Sequence, residues 1–378
     1  MTSSSLALVD LLAHIHDFRQ SSGKRYSLTS ILALAVAAML CGFKSYSAIA
    51  QWGRIYGNEL ALALGFKDGK TPCAATFCNI FSRLDRLDLE TKLASWTDSL
   101  QILSQEEDYL EAVSLDGKSL RGSKKQGAPA AHLLSALGHR LGLTLFQVAV
   151  EDHTNEIGTV KQLLDSLILK DKLITTDALL TQREVAQTIV QEGGHYIQVV
   201  KENHPSLLAQ CEAAIEAVAF YPERKDEAKT EDCCHGRIEE RRIITSSVLE
   251  DCPVWPGMKQ VFKIERRVIE KKTGKESQWE VYGVTSLTKK QARAEKVLEA
   301  VRGHWSIENK SHWVRDVIYE EDRSQVRKGS TPQVMAALRN TAIGLMRWSG
   351  ERCIAAACRR FAAQPWAALA LIGISVEN

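Results

Sequence analysis

Past Tyr109 the spacing of apolar residues changes, and that change limits what the chain can fold into. Before it, "SLTSILALAVAAMLCG", "SYSAIAQWGRIYG" and "AATFCNIFSRLDRLDLETKLASWTDSL" repeat apolar residues at three and four, as Phe77, Ile80, Phe81 and Leu84 do, which is helical spacing. Residues 1–103 therefore read as an all-helical N-terminal domain, and the polar "SQEEDY" as a connector. After it come "YLEAVSLDGKSLRG", "HLLSALGH" and "TLFQVAVED", three short apolar runs expected to lie side by side as antiparallel strands. The next stretches alternate helix and strand: "IGTVKQLLDSLIL", "KLITTDALL", "QREVAQTIVQEGG" and "HYIQVVK". That order predicts a mixed sheet flanked by helices, an α/β layer arrangement. A charged, strand-rich segment at about 222–290 interrupts the rhythm and reads as a β insertion. Helix returns at Lys289, and two more helices are expected from Thr331.

Composition excludes little. The 378 residues carry 48 basic and 46 acidic side chains, so a nucleic-acid surface would have to come from local clustering. The alanine-rich run Ser27 to Gly42 is shorter than the ~20 residues of a bilayer-spanning helix. No short basic segment near Met1 introduces a signal peptide, and a cytoplasmic protein with no membrane partner is expected. Nine cysteines fit free thiols in a reducing compartment. Cys233 to His235 reads "CCH", but no C-x2-C pair accompanies it and no zinc site is assigned.

Two aspartates end apolar strands: Asp116 in "SLDGKSLRG" and Asp177 in "KLITTD". If those strands are parallel neighbours, both acids meet at one sheet edge, where ligands of open α/β sheets gather. Either acid alone could equally close an Asx-turn or cap a helix. Two together repel, and a divalent cation relieves that repulsion; hard oxygen donors favour Mg²⁺ or Mn²⁺. Lys118, Arg121, Lys124 and Lys125 follow Asp116, a basic run suited to a polyanion. A third carboxylate is available in "VRGHWSIENKSHWVRDVIYEED". At 100° per residue, Val301, Trp305, Glu308, His312 and Arg315 share one helix face, while Ile307, Val314 and Val317 take another. Trp305 reads either as a platform for stacking a base or as a residue packed between helix and sheet, and packing is the expectation.

With Asp116, Asp177 and Glu308 placed, the chain resembles the DDE transposases of bacterial insertion sequences, in the H-repeat-associated group. The likeness covers almost the whole chain. "DFRQSSGKRYSLTSILALAVAAMLCGFKSYSAIAQW" and "PCAATFCNIFSRLD" resemble the group's helical associated domain. "SLDGKSLRGS", "TNEI", "TTDALLTQ", "KENH", "HGRIEER" and "RGHWSIENKSHWVRDVIYEED" then follow in the group's order.

The resemblance implies an RNase H-like catalytic core, spanning 108–350, with a β-rich insertion ahead of the last acid and a helical tail at 351–378. The spacing agrees: 61 residues separate Asp116 from Asp177, and 131 separate Asp177 from Glu308. It implies a catalytic and metal-holding set of Asp116, Asp177 and Glu308 with two Mg²⁺ or Mn²⁺ ions. Related transposases carry a Tyr-Arg-Glu-Lys signature on this helix; by position the Tyr falls on Val301, the Arg on His304 and the Lys on Arg315. Val301 cannot bond a phosphate and His304 carries charge only when protonated, so Arg302 is the expected substitute. Lys118, Arg121, Lys201, Arg302, His304 and Arg315 are the candidate DNA contacts; Gln182, Asn203 and His312 are candidates for orientation near the metals. The implied partners are terminal inverted repeats, target DNA and a second subunit in the DNA complex, in the cytoplasm with the nucleoid. Rival readings are a repeat-binding protein with a decayed core, a nuclease without strand transfer, and an interaction module.

Overall fold

The computed structural model describes residues 7–103, 110–124, 129–150, 156–234, 236–251 and 254–375. Lys125, Thr154, Asn155, His235 and the connector at 104–109, singled out in the sequence, lie outside the described residues.

The first part is helical as expected: α1 (Leu8–Leu12), α2 (Leu28–Leu40), α3 (Tyr46–Ile55), α4 (Gly57–Ala63), α5 (Ala74–Phe81) and α6 (Arg86–Leu103). Ser27 opens α2 by accepting the Ser30 amide on its hydroxyl at 2.9 Å, and Ser45 caps α3 through the Ala48 amide at 3.2 Å. Every residue of α2 except Thr29 is buried. A helix apolar on all sides is stable only when surrounded by others, so α2 is the centre of the helical core.

Strands β1 (Glu111–Leu120), β2 (Ala131–Gly138) and β3 (Thr144–Val150) follow, then α7 (Glu156–Asp165), β4 (Lys172–Thr176), α8 (Arg183–Gln191), β5 (His195–Val200) and α9 (Pro205–Glu216). In the sheet the order is β3-β2-β1-β4-β5, with β2 and β3 antiparallel and β1, β4 and β5 parallel. This is the RNase H-like mixed sheet expected. Four further strands, β6 (Lys225–Cys234), β7 (Arg237–Ser246), β8 (Gln260–Glu270) and β9 (Glu276–Thr285), form the β-rich insertion. They do not make a separate layer. β9 pairs antiparallel with β5, and β8, β7 and β6 follow, so the insertion lengthens the same sheet to nine strands. Its charges pair across strands: Arg242 with Glu227 at 3.0 Å, Lys263 with Glu280 at 2.9 Å and Arg267 with Glu276 at 2.7 Å. Opposite charges facing across a ladder stabilise it, which is why so polar a sequence stays in strands. At the junction, a Cβ on Gly283 would lie 2.2 Å from the Phe262 ring and 2.5 Å from the Gln198 carbonyl, so only glycine lets β5, β9 and β8 close up.

Helix α10 (Ala294–His304) covers this part of the sheet, burying Val297, Leu298 and Ala300 in a cluster with Leu173, Ile197 and Phe262. The chain continues through a π-helical turn at Glu308–His312 into α11 (Trp313–Val317), then α12 (Thr331–Trp348), α13 (Ile354–Ala363) and α14 (Pro365–Leu371). Three helices, not two, follow Thr331. Pro365 is the cause: it cannot continue α13 but suits the first turn of a new helix.

The chain divides into two compact units. One comprises Met1–Tyr109, Gly117–Asn155 and Ile307–Asn378; the other comprises Leu110–Asp116 and Glu156–Ser306. No helix among the described residues is long and apolar enough to cross a membrane.

Candidate active site

Strands β1 and β4 are parallel neighbours in the register Glu111↔Lys172 through Leu115↔Thr176. The next residue in each segment is an aspartate, Asp116 and Asp177, on neighbouring backbones whose usual spacing is about 4.8 Å. Asp177 follows the last residue of β4 as expected, but Asp116 does not end its strand: β1 runs on to Leu120, whose side chain is buried. Both side chains are half-buried. The condition posed by the sequence, parallel adjacency, holds for these two acids. The plainer role of Asp177 is present as well: its Oδ1 accepts the Leu180 amide at 3.0 Å, closing the turn beyond β4. That bond uses one of roughly four lone-pair sites on a carboxylate, so it aims the group without exhausting its capacity to bind.

The turn is held from several sides. Gln182 donates to the Leu179 carbonyl at 3.0 Å, Asn203 to the Ala178 carbonyl at 2.8 Å, and Thr181 Oγ1 to the carbonyls of Asp177 and Val199 at 2.8 and 2.7 Å. The His204 ring lies 2.6 Å from the Thr181 carbonyl. Gln182 and Asn203 are candidates in the sequence, whereas Thr181 and His204 are not, although His204 closes the "KENH" motif.

His304 ends α10 against the same strand ends. Its Nδ1 lies 3.0 Å from Thr175 Oγ1, and Ser114 Oγ donates to its carbonyl at 3.1 Å. Burial lowers the ring's pKa, with the Asp177 carboxylate opposing. A neutral imidazole anchored to β1 and β4 is a packing partner of the aspartates and not a cation offered to phosphate. Arg302 is exposed and pairs with Asp232 at 2.7 Å; Lys201 is exposed.

In the other unit, Glu308 opens the π-helical turn and is exposed. That turn overturns the single-faced stripe expected from 100° spacing. Trp305 is 56% exposed, whereas His312 is 8% and Arg315 0% exposed. A π turn inserts a residue into the helical repeat, so positions on either side of it no longer share a face. Trp305 therefore does not pack into the core as expected; its ring lies 5.6 Å from the Arg266 guanidinium.

Arg315, by contrast, is turned inward. Its Nε and Nη2 both reach Glu321 Oε2 at 2.7 Å, and Arg339 Nη1 reaches Glu321 Oε1 at 2.8 Å. Burial disfavours the Glu321 charge, but the two guanidiniums outweigh it and hold its pKa below the usual value. His312 beside them is pushed down to about 3 by burial and by the positive charge of Arg315 and Lys118. Lys118 is buried and pairs with Asp316 at 2.5 Å. Arg121 is exposed and faces Asp322 at 3.6 Å. Of the expected DNA contacts, then, Lys118 and Arg315 are buried in ion pairs; His312, expected to orient groups near the metals, is a buried ring whose pKa is pushed down. Among the described residues of either unit, no three His, Cys, Asp or Glu side chains gather as a metal-binding group.

Residues 110–345 match the family model described as the transposase DDE domain, and residues 9–97 match that of the DDE_Tnp_1-associated domain. The chain belongs to the DDE transposase family. The "Putative transposase YncI" of Escherichia coli O157:H7 is 30% identical over 90% of this chain and 87% of its own length. The "H repeat-associated putative transposase YhhI" of Escherichia coli K12 is 27% identical over 93% of both chains. A solved piggyBac transposase synaptic complex with hairpin DNA aligns at 11% identity over 97% of this chain and 77% of that chain, with a TM-score of 0.42. This protein is a DNA transposase of insertion-sequence type, with an RNase H-like fold.

Proposed function

We propose that this transposase holds two divalent cations, Mg²⁺ or Mn²⁺, with Asp116, Asp177 and Glu308. With them it hydrolyses phosphodiester bonds at the ends of its element and joins the freed strands to target DNA. The observation that carries the reading is that Asp116 and Asp177 each directly follow the paired residues Leu115 and Thr176 of parallel β1 and β4. Two hard carboxylates at neighbouring positions fit a divalent oxygen-seeking ion and would otherwise repel. Glu308, exposed at the start of its π turn, would be the third donor once DNA and cations are bound. Bound there, the cations would offset the charge that develops on the attacking and departing oxygens of an in-line displacement.

The chain's own contribution is orientation. Leu180, Gln182 and Asn203 fix the turn that aims Asp177, and His304 fills the space beside it without adding charge. In the first step a water oxygen bonds to phosphorus and the phosphorus–O3′ bond breaks, the departing 3′-oxygen taking a proton. In the second, that 3′-hydroxyl bonds to a target phosphorus and releases the target strand's own 3′-oxygen, so no protein adduct forms. Lys201, Arg121 and Arg302 are the exposed cations left from the sequence reading as phosphate contacts. The proposal also takes 1–103 as a helical accessory domain, 108–350 as the catalytic domain and 351–378 as a helical tail. Two subunits would pair two element ends, with the terminal inverted repeats as partners, in the nucleoid.

The test is a strand-transfer assay with labelled inverted-repeat ends, supercoiled plasmid and Mg²⁺. Nicked ends and end–plasmid joints are expected together, and neither with EDTA. Nicks without joints would point to a nuclease, and bound but uncut DNA to a decayed core.

A further inference from the structure

The unit that carries Glu308 also contains a cleft that the carboxylate chemistry does not use. Its cavity of about 950 Å³ is bordered by Asn309 and Lys310, which follow Glu308 directly, and by parts of α11, α12 and α13. That volume is in the range of pockets that enclose small ligands, about 300–1,000 Å³, and is too small to admit a duplex. Six cations line it: Lys44, Arg140, Lys310, Arg347, Arg352 and Arg359. Its single lining carboxylate, Glu351, is engaged by Arg360. Lys44 is offset by Glu320 at 3.1 Å. Among the described residues no carboxylate pairs with Arg347, Arg352 or Arg359, and Arg347 donates instead to the Gly142 carbonyl at 2.9 Å. A carbonyl orients a guanidinium but leaves its charge uncompensated. Burial accordingly lowers the Arg347 pKa to about 10.

The walls are apolar where the rim is charged. Trp313 and Val317 are 53% and 51% exposed at the cleft, with Ile318 beside them. A large aromatic left half-open next to uncompensated arginines is the pairing that binds a nucleic-acid strand: cations follow the phosphates and the ring takes the face of a base.

We infer that this cleft, between Trp313 and the Arg347–Arg352–Arg359 rim, is a binding site for a single DNA strand. The inference rests on the transposase reading, since Asn309 and Lys310 make the cleft continuous along the chain with Glu308. A strand lying there is separated from its complement.

The test is equilibrium binding of the full chain to fluorescein-labelled single-stranded and duplex oligonucleotides of one length, by anisotropy in EDTA across a salt series. Arg352→Glu/Arg359→Glu should weaken single-strand binding by at least tenfold. It should also flatten the slope of log K against log salt by about 1.4, the share of two phosphate contacts on a single strand. Trp313→Ala should cost roughly 5- to 150-fold, the range for one stacked base, and Trp313→Phe should recover most of it. Lys275→Glu, in a hairpin turn outside the cleft, should bind as the parent does. Unchanged single-strand affinity and slope in both cleft variants would overturn the assignment. So would a duplex loss as large as the single-strand loss, or displacement by polyglutamate of equal charge regardless of Trp313. Because no metal is present, Asp177→Asn should bind the strand normally; failure of the carboxylate mechanism would therefore leave this result standing.

Discussion

Asp177→Asn should leave a folded protein that binds its DNA ends and cuts none of them. The amide keeps an oxygen where Oδ1 now accepts the Leu180 amide at 3.0 Å, so the turn after β4 survives. What is lost is the charge that, with Asp116 on the neighbouring strand, would draw a divalent cation. The loss of Mg²⁺-dependent cleavage should exceed on the order of a hundredfold, the size of effect that even an outer-shell partner of a metal produces. Asp177→Ala should lose cleavage to the same degree and some stability besides, because it also removes the turn's acceptor. Cleavage by Asp177→Asn at the parent rate, in the same gel assay, would remove this carboxylate from the chemistry.

Glu321→Ala should unfold the Glu308-bearing unit at markedly lower temperature. Arg315 and Arg339 are both almost fully buried and share this one carboxylate, at 2.7 and 2.8 Å. Removing it leaves two like charges in a poorly hydrated space, and breaking a buried ion pair costs about 3–5 kcal/mol. For a unit of this size that corresponds to a fall in the melting transition on the order of 10 °C. Glu321→Gln, which keeps an acceptor for one arginine, should fall between the two. Differential scanning calorimetry reads the shift directly; an unaltered melting profile in Glu321→Ala would mean that the pair contributes nothing net. Glu308 is separated from Arg315 by little more than the π turn, so this clamp also sets how firmly the third acid is carried. Cleavage by Glu321→Gln should accordingly fall at temperatures where the protein remains folded.

Local spacing made most of the fold legible. Helical periodicity locates α2, α3, α5 and α6, and β4 and β5 are recognisable as short apolar runs followed by Asp177 and Lys201; β1 is recognisable too, but its extension past Asp116 to Leu120 through Gly117 and Lys118 is not. What makes Asp116 and Asp177 a credible pair in the sequence is that each follows an apolar run, and the parallel pairing of β1 with β4 up to Leu115 and Thr176 is the part only the structure could supply. The π turn at Glu308–His312 is not visible in the 100° spacing, because a single turn of i→i+5 bonding inside a helix shifts the repeat only locally. The error it caused was large: it turned Arg315 from an expected DNA contact into half of a buried clamp. The partner of that clamp, Arg339 on α12, lies 18 residues beyond Glu321, a pairing decided by packing and not by periodicity. The charged hairpins at 225–285 read correctly as strands but not as the continuation of the central sheet, since pairing between β5 and β9 joins residues more than eighty apart. Pro365 did mark the break between α13 and α14 in plain sight, and its helix-starting role was the signal missed.

The most direct measurement is anomalous X-ray diffraction from crystals of the transposase bound to a pre-cut DNA end and soaked in Mn²⁺. The account predicts two manganese peaks with carboxylate oxygens of Asp116, Asp177 and Glu308 in direct contact with them, as hard oxygen donors would be. Peaks held by other side chains, or a Glu308 carboxylate turned away from the metal held by Asp116 and Asp177, would contradict it.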